Sequence, residues 1–324
     1  MKKLEVELDK DIYFEGDNGI ANITFVNTPD GWFGRVIEEV RSFSCDIYGY
    51  ETTIITVKEK RPIQSTVENR PESTPPRDLH DSTPPRPLPT DPPFEIVSVD
   101  YREQNLFLHI DLDDKIQKLG EKMTNNNIKV KEGTQKIEIP FKLPDKLYEV
   151  YNGTHADIFY SIEVNADIPW KVDLNDKKDL QVKKKSSLQN TGKPIFIREG
   201  NNTIYTELTI DRDTFTPGDT IIGRIDIKNI DNIPVRNIFL NLIGLEYAFA
   251  NNKTLTRTTI VEQYDTTVDQ SNLSNDSVNF HINIPVKTKR EYQGKFSYLE
   301  WSIKCLIEKF SGSNLTLEGR IHIN

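Results

Sequence analysis

Apolar and polar residues alternate along most of the chain. Leu4, Val6 and Leu8, then Ile23 and Phe25, Ile225 and Ile227, and Ile303, Cys305 and Ile307 all recur with a period of two. At that spacing every second side chain falls on one face of a strand, so these runs predict half-buried β-structure. One segment departs from it. Leu112, Ile116 and Leu119 share a helical face, with Asp113 or Asp114 placed to cap the start, and a single short amphipathic helix is expected there.

Between residues 62 and 93 the alternation stops altogether. This stretch holds ten of the eighteen prolines and no Gly, Phe, Trp or Tyr. It can neither bury a core nor donate regular backbone hydrogen bonds, and a disordered, partly polyproline-II loop is expected. Ser73-Thr74-Pro75-Pro76-Arg77 recurs as Ser82-Thr83-Pro84-Pro85-Arg86, and Pro84, Arg86, Pro87 and Pro89 supply P-x-x-P and R-x-x-P spacings. Two readings stand: a ligand for a polyproline-reading partner, or a tolerated surface insertion.

Comparing the chain with itself shows a repeat. Residues 9–27 align without gaps on residues 211–229, with Asp9/Asp211, Asp11/Asp213, Gly16/Gly218, Asp17/Asp219, Ile20/Ile222, Ile23/Ile225 and Asn27/Asn229 in register. Each copy reads as a strand, a tight turn at Glu15-Gly16-Asp17 or Pro217-Gly218-Asp219, and a returning strand, a hairpin-like start to a sandwich. Downstream, Ile137-Glu138-Ile139-Pro140-Phe141 matches Ile282-Asn283-Ile284-Pro285-Val286, and Tyr160-Ser161-Ile162-Glu163-Val164 matches Trp301-Ser302-Ile303-Lys304-Cys305. The expected organisation is one β-domain over residues 1–182, carrying the proline-rich insertion, a polar basic linker over 183–193, and a second β-domain over 194–324.

The residues that carry the repeat resemble a known family. Asp213, Phe215, Pro217, Gly218, Asp219, Ile221, Gly223 and Asn229 are similar to the opening strands of an arrestin-fold domain. Ile139 to Pro144, Tyr160 to Ala166 and Ile168-Pro169-Trp170 resemble the late N-domain strands of arrestins, alpha-arrestins, the arrestin-like retromer subunit and bacterial sporulation-control proteins. The resemblance implies an all-β fold of two tandem immunoglobulin-like sandwiches of about seven strands each, joined end to end with their concave faces on one side. Other tandem β-sandwich proteins, such as adhesin arrays, are the alternative. The chain starts almost at its first strand, ends on the alternating run Leu317 to Asn324 and has no P-P-x-Y site. Neither a regulatory C-terminal tail nor ubiquitin-ligase recruitment is therefore expected, which favours the compact retromer-subunit or sporulation-control types.

Charge and chemistry narrow the function. Over 324 residues, 41 Lys and Arg stand against 50 Asp and Glu, a net charge of −9 that offers no general field for phosphate backbones, so nucleic acid is not expected as a partner. No apolar run reaches membrane-spanning length, and the N-terminus turns acidic at once, which predicts a cytoplasmic chain, peripheral to membranes at most. Cys45 and Cys305 make neither a disulfide framework nor a metal site, and the seven Asn-x-Ser/Thr sites are expected by chance in an Asn- and Thr-rich chain. His80, His109, His155, His281 and His322 are scattered, and no nucleophile elbow, P-loop or dinucleotide fingerprint occurs. The acids Asp111, Asp113 and Asp114, and the pair Asp211 and Asp213, have calcium binding as one reading; for the pair, which recurs as Asp9 and Asp11, turn capping is the other. No catalytic residue, metal or cofactor is expected. Candidate contacts are the Gly-flanked pair Trp32 and Phe33, the proline-rich Pro84, Arg86, Pro87 and Pro89, and the basic cluster at Lys183, Lys184 and Lys185. Together these predict a non-enzymatic adaptor of arrestin type that binds peptides or cytosolic tails of membrane proteins and subunits of a trafficking or signalling complex, with peripheral membrane contact. A structural or extracellular tandem β-sandwich module is the alternative.

Overall fold

The computed structural model describes residues 2–29, 36–62, 94–123, 127–185, 192–202, 204–229, 235–266, 275–310 and 312–324. The first half runs β1 (Lys2–Leu8), β2 (Ile12–Phe14), β3 (Asn18–Asn27), β4 (Glu39–Val40), β5 (Ser42–Pro62), β6 (Phe94–Asp111), α1 (Asp113–Ile116), β7 (Glu121–Lys122), β8 (Ile128–Lys129), β9 (Gly133–Lys142), β10 (Tyr151–Asn152), β11 (Ala156–Asp167) and β12 (Leu174–Lys183). The second runs β13 (Ile195–Gly200), β14 (Ile204–Ile210), β15 (Thr214–Phe215), β16 (Thr220–Asn229), β17 (Val235–Ala250), β18 (Lys253–Thr266), β19 (Asn275–Asn283), β20 (Tyr292–Gln293), β21 (Ser297–Lys309) and β22 (Leu315–Ile323).

Each half is a two-sheet sandwich. In the first, a sheet ordered β1-β3-β9 faces one ordered β2-β12-β11-β5-β6; in the second, β13-β14-β16-β19 faces β15-β22-β21-β17-β18. The alternation read from sequence is the alternation that is buried. Ala21, Ile23 and Phe25 on β3 point inward against Phe43, Cys45 and Ile47 on β5 and Tyr160, Ile162 and Val164 on β11. Phe25 and Phe43 meet edge to face across the two sheets at 5.5 Å.

The start of each copy is more than a hairpin. β1 pairs antiparallel with β3, but the three residues of β2 cross to the other sheet and pair in parallel with β12; β15 does the same with β22. The chain then turns back at Gly16 (φ +76°) and Gly218 (φ +96°), backbone that a side chain would strain. Asp17 and Asp219 close the two turns identically, accepting the Phe14 amide at 3.0 Å and the Thr216 amide at 2.9 Å. Swapping sheets in this way fastens both layers of each sandwich together at its first turn.

The structure also corrects one register. Gly19 pairs with Phe141 and Ile221 with Ile282, so Phe141-Lys142-Leu143-Pro144 is the counterpart of Ile282-Asn283-Ile284-Pro285. The alignment that superposes Pro140 on Pro285 is four residues out. A period of two tolerates any even slip, because the same face stays buried. By contrast, the match of Tyr160 with Trp301 holds: Tyr160 Oη donates to the Tyr148 carbonyl at 2.7 Å, and Trp301 Nε1 donates to the Lys289 carbonyl at 3.1 Å.

The helix lies where its apolar spacing places it, with Leu112, Ile116 and Leu119 buried and a 3-10 turn completing it over Gln117–Leu119. Its capping differs from expectation. The Asp113 amide is bound by Asp111 Oδ1 at 2.8 Å, while Asp113 Oδ1 reaches across to the Cys45 amide at 2.9 Å and ties the helix to β5. Burial holds the Asp113 carboxyl above its ordinary pKa.

Two outcomes are expected of this core. Asn27 is fully buried; its Nδ2 donates to the carbonyls of Ile37 (2.7 Å) and Lys131 (3.1 Å), and its Oδ1 accepts the Ile37 amide (2.7 Å). Asn27→Leu strands all three groups and should lower the unfolding free energy by about 3 kcal/mol in urea titrations, whereas Asn22→Ala on the outer face should change it by less than about 0.5 kcal/mol. Cys45 and Cys305 are buried, and desolvation pushes both thiols up to about 12. The raised value keeps them neutral at pH 8, so thiol-reactive dyes should label neither in the native protein and both in denaturant.

Candidate interaction site

The two sandwiches meet along a seam made by a pair of buried glutamates. Glu51 on β5 is fully buried and crosses to the turn between β20 and β21. Its carboxylate accepts the amides of Lys295 (2.9 Å) and Phe296 (3.0 Å) and the hydroxyl of Ser297 (2.6 Å). Glu246 on β17 does the same in the other direction. It accepts the amides of Thr154 and His155, both at 3.0 Å, in the turn between β10 and β11. Each sandwich thus offers a carboxylate to a turn of the other.

The turns are built to receive them. Gly153 donates to the Ala156 carbonyl at 2.7 Å and Gly294 to the Ser297 carbonyl at 2.8 Å, closing each turn with the following two amides turned outward. A Cβ on Gly153 would lie 2.3 Å from Glu246 Oε1, and one on Gly294 2.5 Å from Glu51 Oε1, so only glycine lets the carboxylate this close. A buried anion is tolerated when hydrogen-bond donors replace its water, and amide-to-carboxylate bonds of this length are the strong kind.

Between the two carboxylates the seam is packed. Tyr151 and Tyr292, the residues that open the two turns, stack with centroids 3.6 Å apart. Thr53 Oγ1 donates to the Phe249 carbonyl at 2.7 Å, and Ile55 packs with Ala248 and Ala250. Farther out, Glu103 accepts the Asn251 amide at 2.7 Å and Lys253 is ion-paired with Glu59. On the other side Lys289 Nζ donates to the Asn152 carbonyl at 2.7 Å.

Several cavities follow the seam. One of about 320 Å³ lies against Tyr151, Glu246, Leu299 and Trp301. One of about 400 Å³ is lined by Lys184, Lys185, Arg290 and Glu291. A third, of about 740 Å³, runs from Leu106, Phe107 and Leu108 on β6 past Leu147 and Tyr148 to Lys295. Here the ladder between β5 and β6 slips at Gly49/Tyr50, leaving Phe107 as the extra residue. Its ring packs edge to face on Tyr148 and Tyr160.

Of the residues singled out from sequence, Lys183 ends β12, and Lys184 and Lys185 follow it on the surface at the seam. Lys185 Nζ lies 3.9 Å from Asp17. Trp32, Phe33, Pro84, Arg86, Pro87 and Pro89, with the whole of 63–93, fall outside the described residues. Asp111 and Asp113 stand with Asp46 in a group whose carboxylate oxygens lie within 4.8 Å of one another. Their hydrogen bonds to the helix start and to β5, and the 2.7 Å contact of Asp46 with His109, give all three a structural role.

Sequence reasoning missed the glutamates, although the signal is present. Glu51 shares parity with Phe43, Cys45, Ile47 and Ile55, and Glu246 with Leu240, Leu242, Ala248 and Ala250. A carboxylate in an inward-facing position needs a partner. The repeated Tyr151-Asn152-Gly153 and Tyr292-Gln293-Gly294 supply it.

Two tandem sandwiches locked across a polar seam are the architecture of the arrestin fold, as the repeat suggested. The chain belongs to the Vps26 family: residues 122–288 match the family described as vacuolar protein sorting-associated protein 26. That span runs from the late strands of the first sandwich to the loop after β19 and includes Glu246 and the turn it binds. A search of curated proteins finds no match.

Removing the carboxylates should loosen the seam. Glu51→Ala or Glu246→Ala alone leaves buried amides unpaired and should cost about 2–3 kcal/mol. The double variant is expected to undock the sandwiches while each stays folded, read as a larger radius of gyration by small-angle scattering with unchanged far-ultraviolet circular dichroism.

Proposed function

We propose that this chain is a non-enzymatic, cytosolic adaptor of the retromer type, which holds cytosolic tails of membrane proteins within a sorting assembly at the membrane surface. Membership of the Vps26 family, a family of trafficking scaffolds, carries this reading. In it, residues 1–182 and 194–324 act as two units joined by 183–193, and the seam fixes their relative position so that contacts on both can be made at once.

The groove beside β6 suits a peptide. Among the described residues β6 pairs only with β5, so its outer edge presents free backbone groups, the feature that strand addition uses. Leu106 is half exposed there, and Leu108, Leu147 and Tyr148 supply an apolar floor, with Lys146, Lys184 and Lys295 around it. An extended tail with an apolar anchor and acidic flanks fits that lining.

The test is affinity capture from native lysate with mass spectrometry, comparing the intact protein with Leu106→Asp. The expected result is recovery of sorting-complex subunits by both proteins and of membrane-protein tails by the intact protein, with at least a tenfold loss of tails in the variant. Recovery of secreted or cell-surface glycoproteins alone would overturn the adaptor reading in favour of an extracellular module.

A further inference from the structure

The basic cluster recognised in the sequence is only half of a larger feature. A second cationic run, Lys287-Thr288-Lys289-Arg290, lies more than a hundred residues away, in the loop after β19. Folding brings the two together. Lys184 and Lys185, at the end of the first sandwich, and Arg290, from the second, line the same 400 Å³ cavity.

Its charges are only lightly compensated: Lys185 has Asp17 3.9 Å away. In a chain of net charge −9, Arg41, Arg198, Arg212, Arg224 and Arg320 all have carboxylate partners. Among the described residues Lys184 and Arg290 have none. Of the two carboxylates in the lining, Glu291 is already engaged, by Arg320 at 2.6 Å and by His322 Nδ1 at 2.7 Å. Among the side chains of the lining that leaves Glu149, beside the Asp17 neighbour of Lys185, to oppose the cations. Like charges gathered at one cleft and left unpaired repel each other, and a bound anion relieves the repulsion.

We propose that this cavity binds a compact anion carrying several phosphate groups, such as an inositol polyphosphate, free or as a lipid headgroup. Three observations select that chemistry. The cavity is lined mostly by charged and polar residues, Lys184, Lys185, Arg290 and Gln293 among them, where the neighbouring groove beside β6 has an apolar floor. Its volume falls within the range of small-ligand sites and is too small for a folded partner. The cations come from both sandwiches, so a ligand carrying several phosphates can engage both sets, and the Arg290 fork suits phosphate oxygens. Such a ligand touches both sandwiches and therefore favours the docked seam over the undocked one.

The test uses the full chain. Calorimetric titration with inositol hexakisphosphate should show one site of micromolar affinity, with inorganic phosphate far weaker. Lys184→Glu and Arg290→Glu should each weaken binding at least tenfold, Arg290→Lys less, and the same charge change at Lys118, on the helix, hardly at all; unchanged urea midpoints would show that all four variants fold. Flotation with vesicles containing phosphatidylinositol bisphosphate, against phosphatidylserine vesicles, then separates the sources: selective flotation assigns the lipid, and its absence beside tight hexakisphosphate binding assigns the free anion. No measurable hexakisphosphate binding, or equal weakening by Lys118→Glu, would overturn the proposal. So would poly-glutamate binding as tightly with the same dependence on Lys184 and Arg290, which would make the cleft an acidic-peptide site.

Discussion

Two carboxylates that the fold cannot leave in water hold this molecule together. Glu51 and Glu246 lie on inward-facing positions of central strands, where an unpaired charge would be strongly unfavourable. Their donors are all in the opposite sandwich. Each half therefore carries a charge that only the other half can satisfy, and the seam behaves as part of the core. The stacked Tyr151 and Tyr292 make the apolar interior continuous across it. An interface held only by apolar contact could slide. This one is fixed by amides whose direction is set by two glycine turns, so the cavities along it have defined walls.

The reciprocity follows from the repeat. Once one sequence had been used twice, a contact from strand to turn in one copy had its counterpart in the other, as a two-fold interface does between identical subunits. The details agree with that origin: Gly153 answers Gly294, Tyr160 answers Trp301, and Phe14-Asp17 answers Thr216-Asp219. The two copies are not identical at the seam. Ser297 adds a hydroxyl bond to Glu51, while the equivalent position opposite Glu246 is Ala156.

Much of the fold was legible because its signals are local. Alternation gave the strands, the Gly-Asp pairs gave the first turns, and Leu112, Ile116 and Leu119 gave the helix. What failed was information that alternation does not contain. A slip of four residues at Pro140 leaves the buried face unchanged, so only the ladder from Gly19 to Phe141 reveals it. The crossing of β2 to the far sheet is equally silent in three residues. The site was less legible still. Lys183 to Lys185 stood out as a local run, but the sharing of one cavity by Lys184, Lys185 and Arg290, and the meeting of Glu51 with the turn at Gly294, depend on how the sandwiches dock.

The seam, more than either sandwich, therefore gathers side chains from distant parts of the chain. A β-sandwich alone offers edges and faces whose exposed residues are mostly spaced by two, poor material for a pocket. Docking two of them end to end brings a sheet edge at Leu106, a linker at Lys184 and a loop at Arg290 within one continuous surface. None of those residues is specialised on its own. Their grouping exists only while Glu51 and Glu246 keep their amides, so any partner that bridges the seam is coupled to the same hydrogen bonds that hold the fold together. A ligand gripping both sides would gain from a rigid seam and would reinforce it in return, because linkage makes the two effects equal.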